Sequence, residues 1–281
     1  MNNTSPELRD ALNAPLQQSG LTFTVHAAPF KLTQKEASVA LAIEFDGDPF
    51  PFSTEEKDGL ATNTIEISFF GINQEGKAQR STRSQFNLAL RPDSFKRVKT
   101  GGLRVNPRMT LGPGRYQVRV GARESVGSRV GTVFYDLQVP DFRKDPLMLS
   151  GLLITATSAQ AAMTAMPDPD APKLLPGPAI SRRTFTRNDS LTVFAEIYDN
   201  SSSKHARQID TVATMLSEHG QEVFRAAETI DNPTVSRWTT YGLTRAIPLN
   251  NVAPGRYLIK VEAKPRGNTA SVMRETLITV Q

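Results

Sequence analysis

Apolar and polar positions alternate in short runs along most of the chain. ASVALAIEF (37–45), NTIEISFFGI (63–72) and GRYQVRVGA (114–122) are rich in β-branched and aromatic residues, and that pattern predicts strands. TFTVHA (22–27), the stretch around SQFNLAL (84–90) and GTVFYDLQV (131–139) read the same way, as do LSGLLITAT, LTVFAEIYD, IDTVATMLS, EVFRAAETI, GRYLIKVEA and RETLITV further on. Asp46-Gly47, Glu75-Gly76 and His219-Gly220 fall between runs, where hairpin turns need positive φ. One stretch breaks the alternation. Residues 4–19, TSPELRDALNAPLQQS, offer a serine cap, Pro6 at the first helical position, and Leu8 and Leu12 on one face. They predict a short helix and then an extended lead-in.

The strand pattern occurs twice. LGPGRYQVRVGA (111–122) returns as VAPGRYLIKVEA (252–263), aligning Pro113, Gly114, Arg115 and Tyr116 with Pro254, Gly255, Arg256 and Tyr257. Gly102-Leu103 matches Gly242-Leu243, and the turn at 74–77 matches the turn at 218–221, in the same order. Collinear matches imply two copies of one fold. Six or seven short strands per copy predict an all-β chain of two tandem immunoglobulin-like or fibronectin-like β-sandwich domains. The expected boundaries are a helical lead-in over 1–19, sandwiches over 20–141 and 146–281, and a short joint of limited freedom between them. An Ala- and Pro-rich insertion, 157–181, reads as a loop inside the second copy. Pro-Gly before Arg-Tyr supplies a tight turn, and a tyrosine just inside the next strand can bond a backbone group across the corner. Tyr116, Tyr257, Gly114, Gly255, Pro113 and Pro254 are therefore read as structural.

Composition sharpens this picture. The 281 residues suit two domains, and 38% hydrophobic content is enough for packed cores. There is no cysteine, so disulfides, thiolate catalysis and cysteine-built zinc sites are excluded. MNNTSPELRD lacks the basic and apolar regions of a signal peptide, and no stretch has the ~20 apolar residues of a membrane-spanning helix. Net charge is +5, unevenly spread: residues 77–129 hold 13 basic against two acidic side chains, and 31–75 hold nine acidic against three basic. Without interleaved aromatics for base stacking, the basic run is read as the partner of the acidic one across strands. Neither nucleic acid nor membrane insertion is expected.

Candidate chemistry is sparse. The three histidines, His26, His205 and His219, show no two-ligand spacing, and His26 is expected to face solvent. Gly112-Pro113-Gly114 precedes a strand and lacks the Lys-Ser/Thr of a phosphate loop. FDGDPF (45–50) and MPDPDAP (166–172) could lend oxygens to calcium but lack the periodicity of a calcium loop. Asp199-x-Ser201-x-Ser203 has the spacing of a divalent-cation motif, making Asp199, Ser201 and Ser203 weak metal candidates. A β pattern follows instead of a helix, so the stretch reads as a capped turn. No catalytic residue and no cofactor is assigned.

As a set, ELRDALNAPLQQSGLTFTVHAAPFK, LGPGRYQVRVGARESVGSRVGTVFYDLQVPDF, PLMLSGLLIT, LPGPAISRRTFTRNDSLTVFAEIYDN and VAPGRYLIKVEA resemble the region carboxy-terminal to the von Willebrand factor A domain in exported bacterial proteins abundant in Acidobacteria. The resemblance spans nearly the whole chain but not the A domain. It implies a non-enzymatic structural or binding module with a protein partner, for which an A-type domain in cis or in trans is the candidate, and an extracytoplasmic setting if the chain belongs to a longer exported protein. The alternatives are a carbohydrate-binding accessory module and a cryptic hydrolase. Trp238 and five tyrosines, two of them placed at corners, leave few aromatics for sugar stacking.

Overall fold

The computed structural model describes residues 4–53, 59–170, 174–201, 208–231, 240–267 and 271–281. In chain order the first elements are α1 (Pro6–Asn13), β1 (Phe23–Lys31), β2 (Ala37–Phe45), β3 (Ala61–Asn73), β4 (Ala78–Leu90), α2 (Pro92–Gly101), β5 (Leu103–Val105), β6 (Arg108–Leu111), β7 (Gly114–Glu124) and β8 (Val130–Val139). After them come β9 (Leu147–Leu149), β10 (Leu153–Ala156), β11 (Met163–Met166), β12 (Thr184–Phe185), β13 (Ser190–Asp199), β14 (Ile209–Ser217), β15 (Glu222–Ile230), β16 (Thr240–Pro248), β17 (Gly255–Pro265) and β18 (Val272–Val280). The chain is all-β, as its alternation predicts.

It divides into two compact units. The first holds the chain up to Ala27, Glu36–Pro140 and Gln160–Asp168, and the second holds Ala28–Lys35, Asp141–Ala159 and Pro169–Gln281. In the first unit one sheet runs β1-β2-β5-β11, with β6 beside β2, and the other runs β4-β3-β7-β8. In the second, one sheet runs β10-β13-β16, with β9 beside β13, and the other runs β12-β18-β17-β14-β15.

The duplication is visible in register. Tyr116 stands opposite Asn73 and Leu137, and Tyr257 stands opposite Ser217 and Ile278. Period-two alternation places Val118, Val120 and Ala122 of β7 in the core at 0% exposure, with Ile259, Val261 and Ala263 of β17 matching them. The second core also takes Val193, Ala195 and Ile197 from β13 and Leu243 from β16. Burying each Leu, Ile or Val of this kind stabilises by about 1.5–3 kcal/mol, and that drives the two sheets of a unit together.

The outward faces differ. In the first unit α1 lies against β7 and β8, where Leu8, Leu12 and Phe70 form a fully buried cluster with Ile72 and Val130 beside it. Gly121 makes this possible, because a Cβ there would lie 2.8 Å from Leu12 Cγ and from Leu8 Cδ1. Arg119 Nη1 donates to the carbonyls of Leu12 (2.7 Å) and Ala14 (3.1 Å), satisfying the helix end. Its guanidinium lies 4.2 Å from the centre of the Phe134 ring.

The sequence reading is corrected in several places. It has no helix over 92–101, although Pro92 at the first helical position and Asp93 in the first turn are helix-start signals. Its apolar stripe is thin, with Val98 its one buried residue. Gly76 and Gly220 adopt φ of 75° and 77°, as hairpin turns require, but Gly47 does not. Glycine is needed at 47 because a Cβ would sit 2.0 Å from the Val98 carbonyl oxygen. Residues 157–181 are not only loop: β11 pairs in parallel with β5, and Asn106 N donates to Met166 O at 2.7 Å. Residues 28–35 group with the second unit and 160–168 with the first, an exchange absent from the expected boundaries.

Candidate functional site

The Pro-Gly-Arg-Tyr corners start from the same backbone. Gly114 and Gly255 take φ of 151° and 158°, a region that favours glycine, and in each copy a Cβ there would touch the following tyrosine ring at 3.5 or 3.6 Å. In the second copy Tyr257 is 5% exposed and its hydroxyl donates to Ala253 O at 2.7 Å, four residues upstream. This is the tyrosine corner expected of such a sandwich. In the first copy Tyr116 is half-buried, and among the described residues its hydroxyl has no hydrogen-bond partner. Burial pushes the Tyr116 phenol above its ordinary pKa.

On the outer face of the first unit's β4-β3-β7-β8 sheet, beside the Tyr116 corner, lies a cavity of about 620 Å³ lined by residues from three neighbouring strands. Ile72 and Asn73 come from the end of β3, Arg115, Tyr116 and Gln117 from the start of β7, and Asp136, Leu137 and Gln138 from the end of β8, with Gln74 beside them. Antiparallel register brings these ends together: Asn73, Tyr116 and Leu137 form one row, and Ile72, Gln117 and Asp136 the next. Asn73 Oδ1 accepts from the N–H groups of Glu75 (3.1 Å) and Lys77 (2.9 Å), closing the turn after β3. Gln117 Oε1 accepts from Arg119 Nε at 3.0 Å, and Arg115 Nε donates to Gln138 Oε1 at 3.0 Å. Among the described residues the Asp136 carboxylate and Gln117 Nε2 have no protein partner.

Charge elsewhere serves the architecture. Glu44 and Arg104 stand directly opposite on β2 and β5, with Arg104 Nη2 donating to Glu44 Oε1 at 2.7 Å and Arg104 fully buried. Arg80 meets Glu36 at 2.9 Å and Arg83 meets Glu66 at 2.7 Å, so among the described residues three of the basic run's side chains pair with the acidic stretch. Burial raises the Glu66 carboxyl, but hydrogen bonds from Arg83 and the Ser5 amide outweigh it and hold the pKa below the usual range. Glu124, fully buried, accepts from the N–H groups of Val126, Gly127 and Arg129 and from Asn63 Nδ2. Burial also raises the Asp189 carboxyl, and hydrogen bonds from Ser158 and Thr186 overcome this and lower it.

Other expected sites resolve as follows. His26 is half-buried, not solvent-facing: its Nδ1 lies 3.4 Å from the Tyr135 hydroxyl, and the two rings meet edge to face. Asp168 of MPDPDAP forms a bidentate pair with Arg108, at 3.0 and 2.9 Å from Nε. Asp199 is nearly buried, and its Oδ1 accepts from the Ser201 N–H at 2.9 Å, closing a turn. The strand after it, β14, pairs antiparallel with β15 and β17. Ser203, His205 and Trp238 lie outside the described residues. Among the described residues no group of three or more His, Asp or Glu is placed to hold a metal ion.

Apart from Arg115 and Tyr116 of the corner, the cavity residues are ones that the sequence reading missed. Their signal lies where the two copies disagree. By register with the tyrosine, Ile72, Gln117 and Asp136 of the first copy correspond to Leu216, Leu258 and Leu277 of the second.

No family model matches the chain, and no curated protein matches it. Among solved structures it is similar to a Bacteroides uniformis β-glucuronidase 2 covalently bound to cyclophellitol-6-carboxylate aziridine, at 10% identity and TM-score 0.32, over 86% of this chain and 26% of that one. A putative β-galactosidase from Bacteroides fragilis gives 11% identity and TM-score 0.28, over 89% and 34%. A glycosyl hydrolase family 2 member from Bacteroides cellulosilyticus gives 11% and 0.30, over 86% and 28%. The chain thus spans about a quarter to a third of the proteins it matches.

Proposed function

We propose that the chain is a non-catalytic structural and binding module of a bacterial exported protein. The observation that supports this is where buried charge goes. Glu44, Glu66, Glu124, Asp168 and Asp189 are each held by a guanidinium, a turn amide or a hydroxyl, and Glu66 and Asp189 have lowered pKa values. A general acid needs the opposite, a carboxyl with raised pKa within reach of substrate. The partner implied by the resemblance is a von Willebrand factor A-type domain, in cis or in trans, met through the outer faces of the sandwiches. Among the described residues no helix is long and apolar enough to cross a membrane.

Two measurements test this reading. The purified chain, offered aryl glycosides, aryl esters and aryl phosphates, is expected to give no turnover above the blank, and saturable turnover would overturn it. An immobilised von Willebrand factor A-type domain from such an exported protein is expected to capture the chain with saturable, reversible kinetics, and absence of capture would overturn this partner.

A second reading, a carbohydrate-binding accessory module, is favoured by the outer-face cavity, where Gln117 Nε2 and the Asp136 carboxylate have no protein partner among the described residues. It too is non-catalytic, and it places the function on one face of the first unit.

A further inference from the structure

We propose that the open edge of β18 in the second unit is a docking site for an extended acidic and apolar segment of a partner protein, which adds a strand to the sheet. The inference rests on the reading of the chain as a protein-binding module.

The first copy shows how such an edge is covered. Its last strand, β8, carries the lead-in that follows α1: Leu21 N donates to Val130 O at 3.1 Å, Thr132 N donates to Gln18 O at 2.8 Å, and Ser19 bridges Gly131 in the antiparallel sense. Register with the corner tyrosines equates Val130, Thr132 and Phe134 with Ser271, Met273 and Glu275. In the second copy the residues ahead of β9 turn instead, with Lys144 N donating to Asp141 O and Asn200 N to Pro146 O. β12 covers only Thr279 and Val280, and Thr279 N donates to Arg183 O. The same parity directs the backbone groups of Met273, Glu275 and Leu277 at the uncovered edge. Among the described residues the one partner they find there is the Arg274 side chain, whose Nη1 donates to Met273 O. VMRETLITV has no proline, no lysine and an unbroken register, so the edge lacks the usual guards against an added strand.

Side chains define what fits. Met273 and Leu277, 45% and 55% exposed, are the most exposed large apolar side chains of the second unit among the described residues, and both lie on the outer face. On the inner face the half-buried Arg274 donates to the carbonyls of Leu149 (2.8 Å) and Ser150 (3.1 Å), and among the described residues no carboxylate neutralises it. Burial holds its pKa below the ordinary guanidinium value. The equivalent residue of β8 is Val133, so the fold has no need of a cation here. A strand with apolar residues beside Met273 and Leu277 and an Asp or Glu opposite Arg274 completes both faces. A second copy supplies no such acid: the inner residues of β18 are Val272, Thr276 and Ile278, and the lead-in reads QQSGL. Val272 also stands where Gly131 leaves room for the lead-in, since a Cβ on Gly131 would lie 1.9 Å from Leu21 O.

The test pans a phage-displayed library of short linear peptides on the immobilised full chain. Enrichment of alternating apolar residues with an Asp or Glu between them is expected. The synthetic consensus peptide is expected to bind saturably in fluorescence polarisation and to shift the amides of residues 273, 275 and 277. Glu275→Pro removes an N–H that the β17 ladder does not use, so it is expected to melt near the parent and to bind at least tenfold more weakly. Arg274→Val carries what the first copy carries and is expected to bind at least tenfold more weakly; exchanging the peptide's acid for its amide is expected to weaken binding to the parent but not to this variant. Absence of enrichment, or binding unchanged in both variants, would overturn the site. Enrichment of basic peptides would overturn the assigned chemistry, and tighter binding of a peptide copying residues 15–23 would overturn the partner in favour of a second copy. Capture by the A-type domain with no peptide bound at this edge would overturn the site alone, and failure of both would overturn the binding-module reading with it.

Discussion

The sheets β4-β3-β7-β8 and β15-β14-β17-β18 are the same object built twice, and they have opposite outer surfaces. On the first, Gly121 admits α1, and Leu8 and Leu12 close over Phe70. On the second, Glu262 stands at the position equivalent to Gly121, and Leu277 remains 55% exposed. The inward faces hardly differ. Core positions are fixed by packing at organic-crystal density, whereas the outer face is free to diverge after duplication. What each copy does is therefore to be sought in the outward residues on which they differ.

The largest expected break in this symmetry is at Arg104. Arg104→Ala removes a guanidinium from the largely buried Glu44 carboxylate and is expected to destabilise the first unit by about 3–5 kcal/mol. Arg245→Ala in the second removes a partner from Glu228, which is 54% exposed, and is expected to cost under about 1 kcal/mol. Two domains need not unfold together, so hydrogen exchange followed peptide by peptide is the measurement, and equal loss of protection in both units would remove the contrast.

Next is the helix. Leu12→Ala deletes a fully buried side chain and is expected to cost about 2–5 kcal/mol, with faster exchange along β7 and β8. Leu277→Ala on the uncovered sheet is expected to stay within about 0.5 kcal/mol. A large effect from Leu277→Ala would mean that this face is covered in solution.

The corners give a smaller difference. Tyr257→Phe removes the bond to Ala253 O and is expected to cost about 1 kcal/mol, while Tyr116→Phe is expected to be nearly neutral. Chemical denaturation of the two variants decides this, and matched losses would show the two corners to be equivalent.

Acid is expected to distinguish the units least. Glu66 in the first and Asp189 in the second both have folded pKa values below the unfolded ones, so each contributes stability that is present above the unfolded pKa, near pH 4, and lost as pH falls through the folded value. Glu66→Gln and Asp189→Asn are each expected to flatten the fall in melting temperature between pH 5 and 3 for their own unit.

How much of this was legible in the sequence follows from burial. Strands such as ASVALAIEF declare themselves because one face must be apolar, and the paired Pro-Gly-Arg-Tyr reveals the duplication. α1 was legible from Pro6, Leu8 and Leu12, whereas α2 buries only Val98 and leaves almost no periodic trace. Met163–Met166 form a strand because β5 offers an open edge, a cause outside the segment's own composition. The cavity was not legible at all, since Ile72, Gln117 and Asp136 are ordinary residues until the register of three strands sets them side by side.

β11 also bears on how the molecule is made. The sheet of the first unit lacks its last strand until residue 166 has been synthesised, and residues 28–35 must wait for partners that lie beyond residue 141. On a ribosome adding about 5–20 residues each second, the leading half cannot finish folding as an independent bead before the trailing half appears. The nascent chain has to hold an incomplete sheet open for several seconds, and a stop codon placed at the apparent seam near residue 141 would release a permanently unfinished half.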